Sequence, residues 1–96
     1  MNKYEMMFIV KATMDSENVK KVAESLKNLV TELKGNLIDY KELGEKKLAY
    51  PIKKQLSGYY FLMHFEGNKE IEAEINRKAR LDENIIRHLI IRLDEE

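Results

Sequence analysis

Residues 44–54 have the sequence GEKKLAYPIKK, and this stretch carries the strongest signal for the fold. The apolar residues 48–50 end at Pro51, the only proline, and a lysine pair lies on each side of them. Lysine and proline protect exposed sheet edges from self-association, so the pattern predicts an edge strand. We expect this strand to run over residues 36–52 with a bend at Gly44. At about twice the usual strand length, it predicts a hairpin that projects beyond its sheet.

The residues before this hairpin predict one strand and one helix. Residues 1–11 alternate between a wholly apolar face and a mixed face, as in a strand with one packed side. Over residues 19–33, apolar side chains recur every three or four positions, which predicts a helix. Asp15 or Ser16 would cap its first turn, and Gly35 would end it in a left-handed conformation.

The residues after the hairpin predict a strand, a helix and a final strand. A turn over residues 55–58 leads to an aromatic-rich strand over residues 59–66, whose odd-numbered side chains would point inward. Asn68 would cap a helix that ends at Leu81. The last strand covers residues 85–93, and its sequence allows either of its faces to be buried.

This order of elements predicts an α+β fold of the ferredoxin-like, split βαβ type (β-α-β-β-α-β). Residues 1–96 would form a single domain with a four-stranded antiparallel sheet. Both helices would lie on one face of that sheet, and the other face would be free.

Composition limits the classes of protein to which the chain can belong. It contains no cysteine, so it has no disulfide, no thiol nucleophile and no cysteine-ligated metal, in keeping with a reducing cytosol. The apolar run over residues 6–10 is too short for the core of a signal peptide, and no run approaches the length of a membrane span. We therefore expect a cytoplasmic protein without a membrane partner.

Charge balance constrains how the chain would meet nucleic acid. Seventeen basic residues cancel seventeen acidic ones, which gives a formal net charge of zero. A domain that binds RNA alone usually carries a basic excess, because its affinity comes from neutralising phosphates. Contact with RNA would therefore use a local patch, or a basic partner protein that supplies the remaining charge.

The sequence contains no recognisable catalytic set. The two histidines, His64 and His88, fall on different strands without a nucleophile and base pattern beside them. The four glycines are scattered and form no phosphate-binding loop. Residues 11–14 lack the arginine and asparagine that small ferredoxin-like phosphatases carry after their first strand. We expect a protein that is not an enzyme, with no metal, no cofactor and no small-molecule substrate.

Two candidate surfaces remain. Outward-facing Met7, Ile9, Tyr60 and Leu62 would form a modest apolar patch for a protein partner. The lysine pairs of the hairpin, together with arginines of the last strand, would offer positive charge to a phosphate backbone. An alternative interpretation of the lysines is that they only keep a sheet edge solvated, and spacing alone does not separate the two.

The chain resembles the family of the sixth protein of the bacterial small ribosomal subunit along essentially its whole length. The most specific resemblance is Gly44 followed by the run KKLAYPI at residues 46–52. Supporting matches are Tyr4-Glu5, Gly58-Tyr59, Asp82-Glu83, Ile86-Arg87 and the apolar residues 89–91. The family often has arginine at position two or three, where this chain has Asn2 and Lys3.

The resemblance implies a structural, ribosome-associated protein that binds the central domain of small-subunit ribosomal RNA together with small-subunit ribosomal protein eighteen. Lys46, Lys47, Tyr50 and Arg87 are the positions that match family motifs. The candidate RNA contacts are Lys3, Lys46, Lys47, Lys53, Lys54, Arg87 and Arg92. The candidate contacts for the partner protein are Met7, Ile9, Tyr50, Tyr60 and Leu62. The alternative function is a small ligand-binding or regulatory ferredoxin-like module that acts as a homodimer.

Overall fold

A computed structural model describes residues 2–13 and 15–93. The elements, in chain order, are β1 (Asn2–Lys11), α1 (Ser16–Glu32), β2 (Asn36–Ile52), β3 (Gln55–Gly67), α2 (Lys69–Leu81) and β4 (Ile85–Leu93). The strands form one antiparallel sheet in the order β2-β3-β1-β4. The predicted ferredoxin-like fold is confirmed, while the predicted first residue of β1, Met1, lies outside the described residues.

The core lies between the two helices and one face of the sheet. β1 and β3 supply its centre, where Tyr4 stacks on Phe65 and Phe8 on Phe61, with ring centroids 5.3 and 5.1 Å apart. The helices contribute the predicted apolar stripes, which comprise Val19, Val22, Ala23, Leu26 and Val30 of α1 and Ile71, Ile75 and Ala79 of α2. Full burial stabilises the fold by about 1.5–3 kcal/mol for each large apolar side chain. This core fixes which face of each strand remains available for function.

The N-terminal cap of α1 is as predicted, but the left-handed residue at its C-terminal end is not the predicted one. Asp15 is the N-cap, and its Oδ1 accepts a hydrogen bond from the backbone N–H of Asn18 at 2.9 Å. At the other end the left-handed residue is Lys34, with φ of 67°, and not Gly35. Gly35 is required for a different reason, because a β-carbon there would lie 2.8 Å from the carbonyl oxygen of Glu66.

The turn of the β2–β3 hairpin lies earlier than predicted. It consists of Lys53 and Lys54, and β3 already begins at Gln55, so the prediction of a turn over residues 55–58 is wrong. Both lysines have positive φ, 48° and 67°, as in the two-residue turns whose twist matches that of paired strands. Such turns usually contain asparagine and glycine, and the lysine pair lacks that signal. The bend at Gly44 is confirmed by a φ of 85°.

The face of the sheet that points away from the helices is called here the open face. The strand register places Met7, Leu62 and Leu89 in one row across it. β4 buries residues on both faces: Ile85 joins the core, whereas Ile86 lies with Ile9 beside Gly58 on the open face. A register shift between β1 and β4 after Ile9 makes this possible, since a bulge sends adjacent side chains to different environments.

Within residues 2–13 and 15–93, neither helix has the length and apolar character needed to cross a bilayer.

Candidate nucleic-acid and partner interface

Residues 48–51 of β2, called here the arm, leave the sheet ladder. Lys47 pairs with Ser57 and Ile52 with Gln55, so the four residues of the arm lie opposite a single residue of β3. The extra length bends the strand. The arm reaches across the open face, and the Tyr50 hydroxyl accepts a hydrogen bond from Arg87 Nη1 of β4 at 2.8 Å. β2 and β4 are the two edges of the sheet, about 14 Å apart at three strand spacings of about 4.8 Å.

The arm and the open face enclose an apolar cavity of about 240 Å³. This volume is below the range of about 300–1,000 Å³ that is typical of small-molecule pockets. The cavity therefore gives no support to the alternative of a ligand-binding module. Its lining residues are Met7, Ile9, Leu48, Ala49, Tyr50, Ile52, Tyr60, Arg87, His88 and Leu89.

Four of the five predicted partner contacts line this cavity, and the fifth, Leu62, lies beside Met7 in the same row across the sheet. Their exposure differs. Tyr50 is 58% exposed and Met7 38%, whereas Ile9 is only 7% exposed and forms the floor of the cavity. Ile9 is therefore positioned to support the surface more than to contact a partner.

The open face extends further along β4 than the sequence predicted. Leu89, Ile91 and Leu93 are 54%, 44% and 38% exposed, and they pair with Met7, Glu5 and Lys3 of β1. The recurrence of these apolar residues at every second position of β4 indicates one shared face. The sequence did not identify that face as the exposed one, because the residues between them are largely apolar too.

The hairpin brings four of the predicted RNA contacts to one end of the sheet. Lys46 and Lys47 precede the arm, and Lys53 and Lys54 form the tip; all four are exposed. Lys46 Nζ lies 5.6 Å from the centroid of the Tyr60 ring, a cation–π contact that holds the ammonium above the open face. Together with Arg87 beneath the arm, these residues form a group of cations at this end of the sheet, called here the positive border.

Arg92 and Lys3 lie apart from that border. Arg92 pairs with Tyr4, whose side chain is in the core, so Arg92 is on the helix side of the sheet and Arg87 on the open side. The two arginines therefore do not share one surface. Lys3 pairs with Glu66 at the opposite end of β1 from the hairpin, a separation of about 26 Å over eight residues at about 3.3 Å each.

The two histidines have side-chain partners. His64 Nε2 lies 3.0 Å from Glu5 Oε1, and its Nδ1 lies 4.0 Å from Asp39 Oδ2. The two carboxylates are on opposite ring nitrogens, so the three groups do not converge on a single point. His88 Nε2 bonds Asn76 Oδ1 of α2 at 2.6 Å. Burial is the main cause that lowers the pKa of His88, and the charges of Arg80 and Lys53 lower it further.

Comparison with known proteins agrees with the resemblance. The family model described as ribosomal protein S6 matches residues 3–92. The small ribosomal subunit protein bS6 of Caldanaerobacter subterraneus is 38% identical over 95 residues, which cover 99% of this chain and all of that one. The bS6 protein of Alkaliphilus metalliredigens is 39% identical, with the same coverage.

The fold agrees equally well with a solved structure. The crystal structure of 30S ribosomal protein S6 from Thermotoga maritima superposes with a TM-score of 0.91 at 29% identity. The match covers 96% of this chain and 87% of that one. Members of the family are structural proteins of the bacterial small ribosomal subunit, so the predictions of a non-catalytic and ribosome-associated protein are confirmed at the level of the family. The chain belongs to the ribosomal protein S6 family.

Proposed function

We propose that the chain binds the central domain of small-subunit ribosomal RNA jointly with small-subunit ribosomal protein eighteen. The hairpin cations would contact phosphates, and the open face would receive the partner. The observation that carries the proposal is the arm, since it combines both properties in one segment. Its apolar side chains face the sheet, and exposed lysine pairs lie at its two ends.

The net charge of the chain supports a model in which the chain and its partner each contact part of the RNA. Phosphate contacts supply most of the affinity in RNA binding, but the chain has no net positive charge. Four exposed lysines lie in the hairpin at one end of the sheet, so a few phosphates are within reach of the hairpin. The remaining phosphates would be contacted by the partner, which is small and basic in this family.

The open face has the character of a protein interface. Exposed Leu89, Ile91 and Leu93 form an apolar stripe along the edge strand β4, and Met7 and Tyr50 extend this stripe towards the arm. Glu5 and Asp39 lie in the neighbouring row on either side of His64. Exposed apolar side chains beside charged groups are typical of protein–protein interfaces, and acidic groups complement a basic partner.

Sedimentation of a cell lysate tests ribosome residence. The protein should migrate with the small subunit in a sucrose gradient, and a high-salt wash should release it because its RNA contacts are electrostatic. Recovery only among the free proteins at the top of the gradient, at low and high salt alike, would contradict the proposal.

A further inference from the structure

The tip of the hairpin adopts a conformation that its residues do not favour. Lys53 and Lys54 both have positive φ, which residues with a β-carbon rarely adopt outside functional or tightly constrained segments. Asparagine and glycine would form the same turn without this disadvantage. The chemistry of the turn therefore does not explain why both positions are lysine.

The tip projects towards two other cationic elements. Ile52 and His88 line the same cavity, so the start of the turn lies next to β4. His88 is held to α2 by its 2.6 Å hydrogen bond to Asn76. Arg80 lies in the last turn of α2, four residues after Asn76, so the two residues are on the same face of the helix. The charges of Arg80 and Lys53 both act on His88, so a helix and the hairpin each bring a cation towards this residue of β4.

Ion pairing does not neutralise these cations in the part of the chain that the structure describes. Within residues 2–13 and 15–93, neither Lys53 nor Arg80 forms a salt bridge with a carboxylate. The neighbouring Arg77, in contrast, is paired with Glu74 at 3.6 Å. A cation in the last turn of a helix complements the helix dipole. That effect accounts for Arg80 alone and not for the approach of Lys53, because like charges repel.

We infer that Lys53, Arg80 and His88 form a binding point for a backbone phosphate of the RNA, separate from the one at Lys46 and Lys47. The inference rests on the proposed function. A phosphate between the tip and α2 would accept hydrogen bonds from the ammonium and the guanidinium. It would also offset the repulsion between them. His88 was not a candidate from the sequence, because β4 meets the hairpin only in the folded chain.

Proton uptake accompanies binding at this point. In the free protein the charged groups that act on His88 are Arg80 from α2 and Lys53 from the hairpin, while β1 presents uncharged Phe8 opposite it. An anion placed among the cations favours the imidazolium form. RNA binding therefore strengthens as the pH falls through the histidine range.

The test compares two arginines of the same helix. Binding of the central-domain RNA by the complex with the partner protein is measured over a range of salt concentrations for the wild type, Arg80→Gln and Arg77→Gln. Loss of one phosphate contact should lower the slope of log K against log salt by about one. Arg80→Gln should show this decrease together with a severalfold weaker affinity. Arg77→Gln should match the wild type.

Identical slopes for the two variants and the wild type would overturn the inference and leave the proposed function standing. A wild-type complex without affinity for the RNA would overturn both.

His88→Gln supplies the second measurement. Affinity of the wild type should increase as the pH is lowered through the histidine range, because the bound anion favours the protonated imidazole. The variant should lose this increase while its circular dichroism spectrum stays that of the wild type. An increase that survives in the variant would overturn the role of His88.

Discussion

The hydroxyl of Tyr50 and the guanidinium of Arg87 are hydrogen-bonded at 2.8 Å although the residues belong to opposite edges of the sheet. This contact holds the arm over the open face and closes one side of the cavity. It also joins the segment that carries the hairpin lysines to the strand with the exposed apolar residues. RNA binding and partner binding would therefore share one piece of structure.

Removal of the Tyr50 hydroxyl should release the arm with little effect on the fold. Because the pair is exposed, Tyr50→Phe should lower the free energy of unfolding by less than about 1 kcal/mol. Amide exchange should accelerate over residues 48–52 and stay unchanged in β1. Tyr59→Phe is the matched control, since the Tyr59 hydroxyl has no hydrogen bond to another side chain in the described part of the chain. Equal exchange in the arm for both variants would show that the bond does not hold it.

Replacement of Lys54 by glycine should improve stability and weaken RNA binding at the same time. Its φ of 67° costs a residue with a β-carbon about 1 kcal/mol, and glycine removes that cost. Urea denaturation should show a gain of about this size, and a shift assay should show a lower salt slope. The control is Lys47→Gly, in extended strand, which should lower stability by about 0.5–1 kcal/mol. A loss of stability in both variants would argue against strain at the tip.

At the C-terminal end of α1, substitutions at two adjacent positions should change the stability of the protein in opposite directions. Lys34→Gly should stabilise the protein by about 1 kcal/mol, because Lys34 occupies the left-handed conformation with φ of 67°. Gly35→Ala should destabilise it by about 1–3 kcal/mol, because the new methyl would lie 2.8 Å from the Glu66 carbonyl. Thermal unfolding of the two variants measures both effects. Two changes of the same sign would contradict this description of the helix end.

The environment of His88 predicts a loss of stability in acid. Its pKa is lowered from 6.5 in the folded chain, so the unfolded chain binds more protons in this range and stability decreases as the pH falls. The contribution is complete above about pH 6.5 and is lost as the pH falls through the folded-state value. Urea titrations of the wild type and His88→Gln at several pH values should give a shallower decrease for the variant. Parallel curves would show that this histidine does not titrate differently on folding.

Local patterns predicted most of the fold because its elements are locally consistent. The bounds of β2 and β4 were predicted at the positions observed, and Asn68 caps α2 as expected. The turn was misplaced because two lysines carry no turn signal and Gly58 offered a false one. The left-handed residue of α1 was misassigned for a similar reason, since Gly35 is needed for close packing against Glu66.

The candidate site was only partly predictable. The sequence identified the hairpin cations and several apolar residues as candidates, but it did not predict how these residues are arranged in space. Tyr50 and Arg87 are 37 residues apart, and their contact depends on an arm that leaves the ladder. Periodicity also could not decide which face of β4 is open, because Ile85 and Ile86 are both buried on different faces.

Cooperative RNA binding tests the central claim most directly. The affinity of the purified chain for the rRNA central domain is measured at physiological salt by gel shift, alone and with small-subunit ribosomal protein eighteen. We expect weak, salt-sensitive binding by the chain alone and much tighter binding by the pair, because four clustered lysines neutralise few phosphates. Equally tight binding with and without the partner would contradict the account.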